Sequence, residues 1–184
     1  MKRIVFCGGG SAGHVIPNIA VIENLGKDIK PCYIGTDGIE KRICKDNNIE
    51  FFECGAPKLV RGKILCNLAL PFKLIKSIIA AGRLLDEIKP DLVFCKGGYA
   101  CVPPAIAAKK RNIPVITHES DVSSGLANKV IARRCKKVLA SFPSAAKCFP
   151  NGICTGTPMR GGIFGKSKAE AHEYFGLDMR PTLV

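Results

Sequence analysis

His14 closes the run Gly8-Gly9-Gly10-Ser11-Ala12-Gly13-His14, the densest glycine cluster in the chain. Successive glycines let a backbone approach a ligand closely. Where such a loop opens a helix, free N–H groups and the positive end of the helix dipole favour an anion, such as a diphosphate or a developing oxyanion. The same positive end disfavours imidazolium, so a neutral His14 could accept a proton. That suits a general base acting on a sugar hydroxyl. The plainer reading is a histidine that caps or packs the first turn. The loop also satisfies G-x-G-x-x-G, the dinucleotide fingerprint, which asks for an acid at the end of the second strand. Asp37 lies past Gly35-Thr36 and meets that requirement only in part. A tight turn with no ligand is the remaining reading of the loop.

Three further runs could share a rim with it. Lys96-Gly97-Gly98-Tyr99 places glycines after an apolar run, with Tyr99 able to line a pocket by ring or hydroxyl. His118-Glu119-Ser120-Asp121 is four polar residues in a row, more functional groups than a turn requires, and Glu119 could accept hydrogen bonds from sugar hydroxyls. Its plainer reading is a cap for the next helix. Thr155-Gly156-Thr157-Pro158-Met159-Arg160 ends in an arginine placed to meet phosphate, or else a solvated surface arginine. No C-x-x-C pair and no Cys/His cluster at metal spacing occurs, so no metal and no cofactor is expected.

The elements that must carry these runs are legible as alternation. Apolar, β-branched stretches fall at 3–7, 30–34, 50–53, 91–95, 114–117, 137–140 and 152–155. Amphipathic stretches fall at 15–25, 38–47, 72–88, 102–111 and 124–134. Strands alternating with helices predict βαβ units and a parallel, Rossmann-like α/β sheet flanked by helices. Such a sheet puts its ligand loops at the carboxyl ends of the strands, where all four runs lie. Ser167 and Glu170 form a capping-box pattern, Gly176 follows as a helix stop, and Leu183-Val184 reads as the start of another strand at a domain boundary.

The 184 residues suffice for one well-packed domain, and 47% are hydrophobic. The ten cysteines read as free thiols, several of them (Cys7, Cys95, Cys101) within apolar runs where cysteine acts as a small hydrophobe. No apolar stretch qualifies as a signal core or a membrane span, so a cytoplasmic location is expected. The net charge of +13 asks for an anionic partner: nucleic acid, anionic lipid or a phosphorylated substrate. Nucleic acid is disfavoured, because the basic residues are interleaved with aliphatics rather than aromatics. Between Lys58 and Leu85, Lys58, Arg61, Lys63, Lys73, Lys76 and Arg83 mix with Ile64, Leu65, Leu68, Leu70, Phe72, Ile75 and Ile79. Those apolar residues exceed one buried stripe. The segment reads either as a surface that lies on an anionic membrane or as a core helix with a basic outer face.

Taken together, Gly9-Gly10-Ser11-Ala12-Gly13-His14, Gly97-Gly98-Tyr99, His118-Glu119-Ser120-Asp121 with Gly125-Leu126-Ala127-Asn128-Lys129, Phe142-Pro143 and Thr155-Gly156-Thr157-Pro158-Met159-Arg160 resemble, in order, the MurG family. These are the undecaprenyldiphospho-muramoylpentapeptide N-acetylglucosaminyltransferases of glycosyltransferase family 28. The resemblance implies the N-terminal half of a GT-B glycosyltransferase, with residues 1–163 as the acceptor and membrane-side domain and 164–184 as a linker helix leading into a donor domain. It implies inverting transfer of N-acetylglucosamine from UDP-N-acetylglucosamine to an undecaprenyl-linked muramoyl-pentapeptide, a step of peptidoglycan synthesis, at the cytoplasmic face of the bacterial membrane. By the same resemblance His14 and Glu119 are catalytic. Gly9, Gly10, Ser11, Ala12, Gly13, Gly97, Gly98, Tyr99, Asp121, Asn128 and Arg160 bind substrate. Ile64, Leu68, Phe72, Lys73, Ile75, Lys76 and Ile79 face the membrane. Two departures stand out: Ser11-Ala12 where threonine-glycine is commonest, and Asp121 where many members carry asparagine. An acid cannot donate the hydrogen bonds an amide can. Two alternatives stay open: a non-catalytic module that binds acceptor or membrane, and a dinucleotide-binding oxidoreductase domain.

Overall fold

The computed structural model describes residues 1–59, 62, 67–163, 165 and 167–176. Seven parallel strands form one sheet: β1 (Lys2–Cys7), β2 (Ile29–Gly35), β3 (Glu50–Glu53), β4 (Leu92–Cys95), β5 (Val115–Glu119), β6 (Lys137–Ala140) and β7 (Gly152–Cys154), in the order β3-β2-β1-β4-β5-β6-β7. The helices are α1 (Ala12–Glu23), α2 (Ile39–Asp46), α3 (Leu70–Ile88), α4 (Val102–Lys110), α5 (Leu126–Ala132), α6 (Pro143–Lys147) and α7 (Lys168–Phe175). Each of the seven strands expected between residues 3 and 155 is present. Strand order reverses at β1–β4, and their carboxyl ends are where such folds hold ligands.

Alternation along the strands builds two cores. Val5, Cys7, Val93 and Cys95 face one side and pack with Ala81, Leu85, Ala105, Ala108 and Ile131 of α3, α4 and α5. Phe6, Tyr33 and Phe94 face the other and pack with Val15 and Cys44 of α1 and α2. Both faces are covered, so the strands read as continuous apolar runs. On the first face α3 and α4 are clasped by Arg111, whose Nε and Nη2 donate to the Asp86 carboxylate at 2.6 and 2.7 Å. The nine cysteines among the described residues are free thiols, six of them buried.

Two details differ from expectation. β5 runs on through His118 and Glu119, which pair in register with Leu139 and Ala140 of β6. Their polarity hid the strand's end, because the partners of His118 Nε2 and of the Glu119 carboxylate lie inside the fold. The five-residue α6 was missed, its proline start and shortness leaving no periodic pattern. The expected capping box is present: Glu170 N–H donates to the Ser167 hydroxyl at 3.1 Å, Ser167 N–H donates to the Glu170 carboxylate at 2.8 Å, and Gly176 closes α7 at φ 61°. Ile64, Leu65 and the strand expected at Leu183-Val184 lie outside the described residues.

Candidate active site

The loop between β1 and α1 is held from below by three buried polar side chains. The Tyr33 hydroxyl donates to the Gly8 carbonyl at 2.9 Å, and Asn18 Nδ2 donates to the Cys7 carbonyl and to the Tyr33 hydroxyl, both at 3.1 Å. Glu40, fully buried at the start of α2, accepts from Thr36 N–H at 3.0 Å and from the Thr36 hydroxyl at 2.5 Å, and it accepts from Gly10 N–H at 3.4 Å. Its carboxylate lies against Gly9, leaving no room there for a side chain. Asp37, the acid weighed for a dinucleotide ribose, is exposed and paired with Lys41 at 2.9 Å.

The second loop crosses directly above. Gly97 and Gly98 have φ of +94° and +79°, and Gly98 has ψ 164°, a region that is essentially glycine-only. Gly98 touches both the Gly9 carbonyl and the His14 ring, while the Tyr99 ring covers Gly10. Lys58 in turn lies 5.9 Å from the Tyr99 ring centroid.

The third loop is braced by Glu119, only 3% exposed. One carboxylate oxygen accepts from Asp121 N–H at 3.1 Å; the other accepts from Gly125 N–H and from Asn128 Nδ2, both at 2.9 Å. Asn128 also accepts from the Thr117 hydroxyl at 2.9 Å. Glu119 and Asn128 therefore shape the loop that carries Asp121, which is exposed and faces the cleft. His118 is buried, and its Nε2 lies 2.9 Å from the Gly156 carbonyl, linking β5 to the segment after β7.

These loops enclose a cleft of about 820 Å³. Its wall carries the polar side chains of His14, Tyr99, Glu119, Asp121 and Asn128 together with the apolar ones of Leu59, Leu70, Leu74, Val102, Leu126 and Val130. Burial holds His14 below the usual histidine range, and the neighbouring Lys96 ammonium acts the same way; Asp121, the Lys96 carbonyl and Glu119 oppose them. Both causes favour the neutral ring, whose Nδ1 is buried and unpartnered among the described residues.

Arg160 is placed elsewhere. It pairs with Glu23 at 2.5 Å, on the last turn of the helix whose first turn carries His14. At 1.5 Å per residue those positions are about 14 Å apart along the helix. Of the expected membrane-facing residues, Leu68, Phe72, Ile75 and Ile79 are exposed at 73, 77, 56 and 53%, with Lys73 and Lys76 exposed among them. Leu70 and Leu74 instead turn into the cleft. No helix among the described residues is long and apolar enough to cross a membrane.

The glycosyltransferase family 28 N-terminal domain matches residues 4–140. The chain belongs to that family. Named relatives agree: it is 44% identical over 173 residues to a UDP-N-acetylglucosamine--N-acetylmuramyl-(pentapeptide) pyrophosphoryl-undecaprenol N-acetylglucosamine transferase of Lachnospira eligens, covering 92% of this chain and 49% of the relative. It is 45% identical over 177 residues to a transferase of the same name from Clostridium botulinum strain Alaska E43, covering 93% of this chain and 49% of the relative. The chain spans about half the length of these relatives. Among solved structures, Acinetobacter baumannii MurG superposes with a TM-score of 0.74 at 32% identity, over 86% of this chain and 46% of that one. The UDP complex of S. aureus MnaA, 18% identical with a TM-score of 0.60 over 80% of this chain and 40% of that one, shares the fold. Family membership and the position of Asp37 leave the oxidoreductase alternative without support.

Two residues that shape the candidate site escaped sequence reasoning. Lys96 is 1% exposed at the end of β4, and Glu40 is fully buried beneath the first loop. Lysine beside two glycines, and glutamate in a helix rich in charge, both look like solvated surface; only the crossing of the loops buries them.

Proposed function

We propose that this chain is the acceptor-side half of an inverting N-acetylglucosaminyltransferase of peptidoglycan synthesis. The donor is UDP-N-acetylglucosamine and the acceptor an undecaprenyl-linked muramoyl-pentapeptide. The observation that carries the reading is His14 on the first turn of α1, lining a cleft whose wall combines polar side chains with apolar ones, Leu70 and Leu74 of α3 among them. A lipid-linked sugar diphosphate has the same two-part character. In this reading residues 1–163 form the acceptor domain, and 164–184 are a linker helix leading toward a donor domain.

His14 takes the proton from the acceptor C4 hydroxyl as that oxygen attacks the anomeric carbon of the donor sugar. The new C–O bond forms as the bond to the diphosphate breaks, and UDP leaves with the electron pair, inverting the centre. The N–H groups opening α1 favour the anionic groups gathered there. Asp121 and Tyr99 line the acceptor's path, while Glu119 and Asn128 act by holding the loop. The exposed Phe72, Ile75 and Ile79, flanked by Lys73 and Lys76, rest on the anionic cytoplasmic face of the membrane as a peripheral contact.

The test joins this chain to the donor half of a family 28 relative and replaces His14 by alanine. Loss of a general base lowers kcat by about 10²–10⁴. Transfer at a near-normal rate would sink the base assignment. Assaying the chain alone beside the joined protein separates a catalytic half from a module that only binds acceptor.

A further inference from the structure

Lys96 stands where the three loops meet. Its backbone N–H donates to the Cys7 carbonyl at 2.8 Å, tying the end of β4 to the end of β1. Its side chain is sealed from solvent, and the ammonium donates to the Ser120 hydroxyl rather than to a carboxylate. Its charge acts on His14 of α1 and His118 of β5, and Glu119 of β5, Asp121 of the third loop and Cys101 of the turn after Gly98 act on it in turn. Glu119 is already engaged by three donors of its own loop. A buried ammonium with one neutral oxygen partner is costly to keep and imposes its field on whatever titrates beside it.

We propose that Lys96 is a positioning residue that acts through His14: its buried ammonium, sealed where the three loops meet, adds to burial in disfavouring imidazolium, and its bond to Ser120 fixes the loop that presents Asp121. The proposal rests on the reading of His14 as the base. Three influences act on the His14 ring in the same direction: burial, the α1 N-terminus and the Lys96 charge. Only the last can be removed by one substitution that leaves the ring in place. Asp121 and Glu119 pull the other way, so without Lys96 the balance moves toward imidazolium. His118 feels the same ammonium and should move with His14. Burial lowers the Lys96 amine to about 8, so the field is present through neutral pH and fades above it.

The experiment is an NMR pH titration of the histidine rings in this chain, which has three histidines. In Lys96→Met the midpoints of His14 and His118 are expected to rise, while His172 on α7 serves as the internal reference. Lys96→Arg, which keeps a charge, should hold both midpoints low. In the wild-type chain the neutral His14 ring should show a second, smaller inflection near pH 8 as Lys96 titrates. This arm needs no variant to fold. Unmoved midpoints in folded Lys96→Met, or a wild-type His14 curve with no inflection near pH 8, overturn the proposal. In the joined enzyme the acid limb of kcat/KM should shift to higher pH in Lys96→Met and stay in place in Lys96→Arg. The titration is read without turnover. A failed base assignment, shown by transfer surviving His14→Ala, is therefore distinguishable from a failed role for Lys96.

Discussion

Gly98 lies against the ring of His14. A Cβ on Gly98 would stand 3.1 Å from His14 Cδ2, 3.4 Å from Nε2 and 2.9 Å from the Gly9 carbonyl oxygen. The second glycine loop is thus the wall that sets the imidazole's position. Gly98→Ala should cost stability twice over. Its backbone conformation is open to glycine alone, a strain on the order of 1–3 kcal/mol. The added methyl also presses on a main-chain oxygen that cannot swing aside. Thermal unfolding of the variant should show the loss, and the joined enzyme should lose kcat more than acceptor affinity. An alanine variant with wild-type stability and rate would mean that the two loops are not in contact.

Glu119 makes a different prediction from the one its sequence position invites. Its two oxygens accept three hydrogen bonds, from Asp121, Gly125 and Asn128. Glu119→Gln leaves one oxygen and an NH₂ group that cannot accept, so at least one of these three donors loses its partner. That costs about 1–3 kcal/mol. Amide exchange should quicken at Asp121 and Gly125 before it does in the β-sheet. A Gln variant that exchanges like wild type but has lost transfer would return Glu119 to a direct chemical role.

The contrast between those residues shows what the sequence could carry. The strands and the glycine loops were legible because each announces itself locally, by an apolar run or by glycines after one. Lys96, Glu40 and Asn18 were not, since their burial depends on loops separated by tens of residues coming to lie over one another. The end of β5 was misplaced for the same reason: His118 and Glu119 look like loop residues until the Gly156 carbonyl and the Gly125 N–H are brought to them. Arg160 found its partner in Glu23, 137 residues away, a pairing no local pattern signals.

Phe72, Ile75 and Ile79 follow helical spacing on the exposed side of α3, and Lys73 and Lys76 stand among them. The chain should therefore sediment with anionic vesicles at low salt. Each basic residue near such a surface contributes about 1 kcal/mol, and the contribution falls as salt shortens the screening length. Replacing the three apolar residues by serine should lower vesicle partitioning at least about tenfold without changing thermal stability, because none of them is buried. Partitioning unchanged by both the triple variant and high salt would remove the membrane role from this face.

The buried ammonium of Lys96 also sets the pH dependence of folding. Its folded value is depressed from 10.5 to about 8, so between those values the unfolded chain holds a proton that the folded chain has released. Stability therefore rises as pH climbs from about 8 to about 10.5, and below 8 the full cost of the buried charge is present, about 3 kcal/mol. Lys96→Met removes that cost and leaves an apolar side chain of similar length. Urea denaturation should find the variant more stable than wild type at pH 7, by up to about 3 kcal/mol. The difference should shrink through pH 8–10.5 as the wild-type amine sheds its proton. Such a gain in stability, together with an acid limb displaced to higher pH in the joined enzyme, would identify the lysine as a group kept for the state of His14 and not for the fold. A Met variant that is less stable at pH 7, with no change in slope between pH 8 and 10.5, would show instead that the ammonium's bond to Ser120 outweighs its burial.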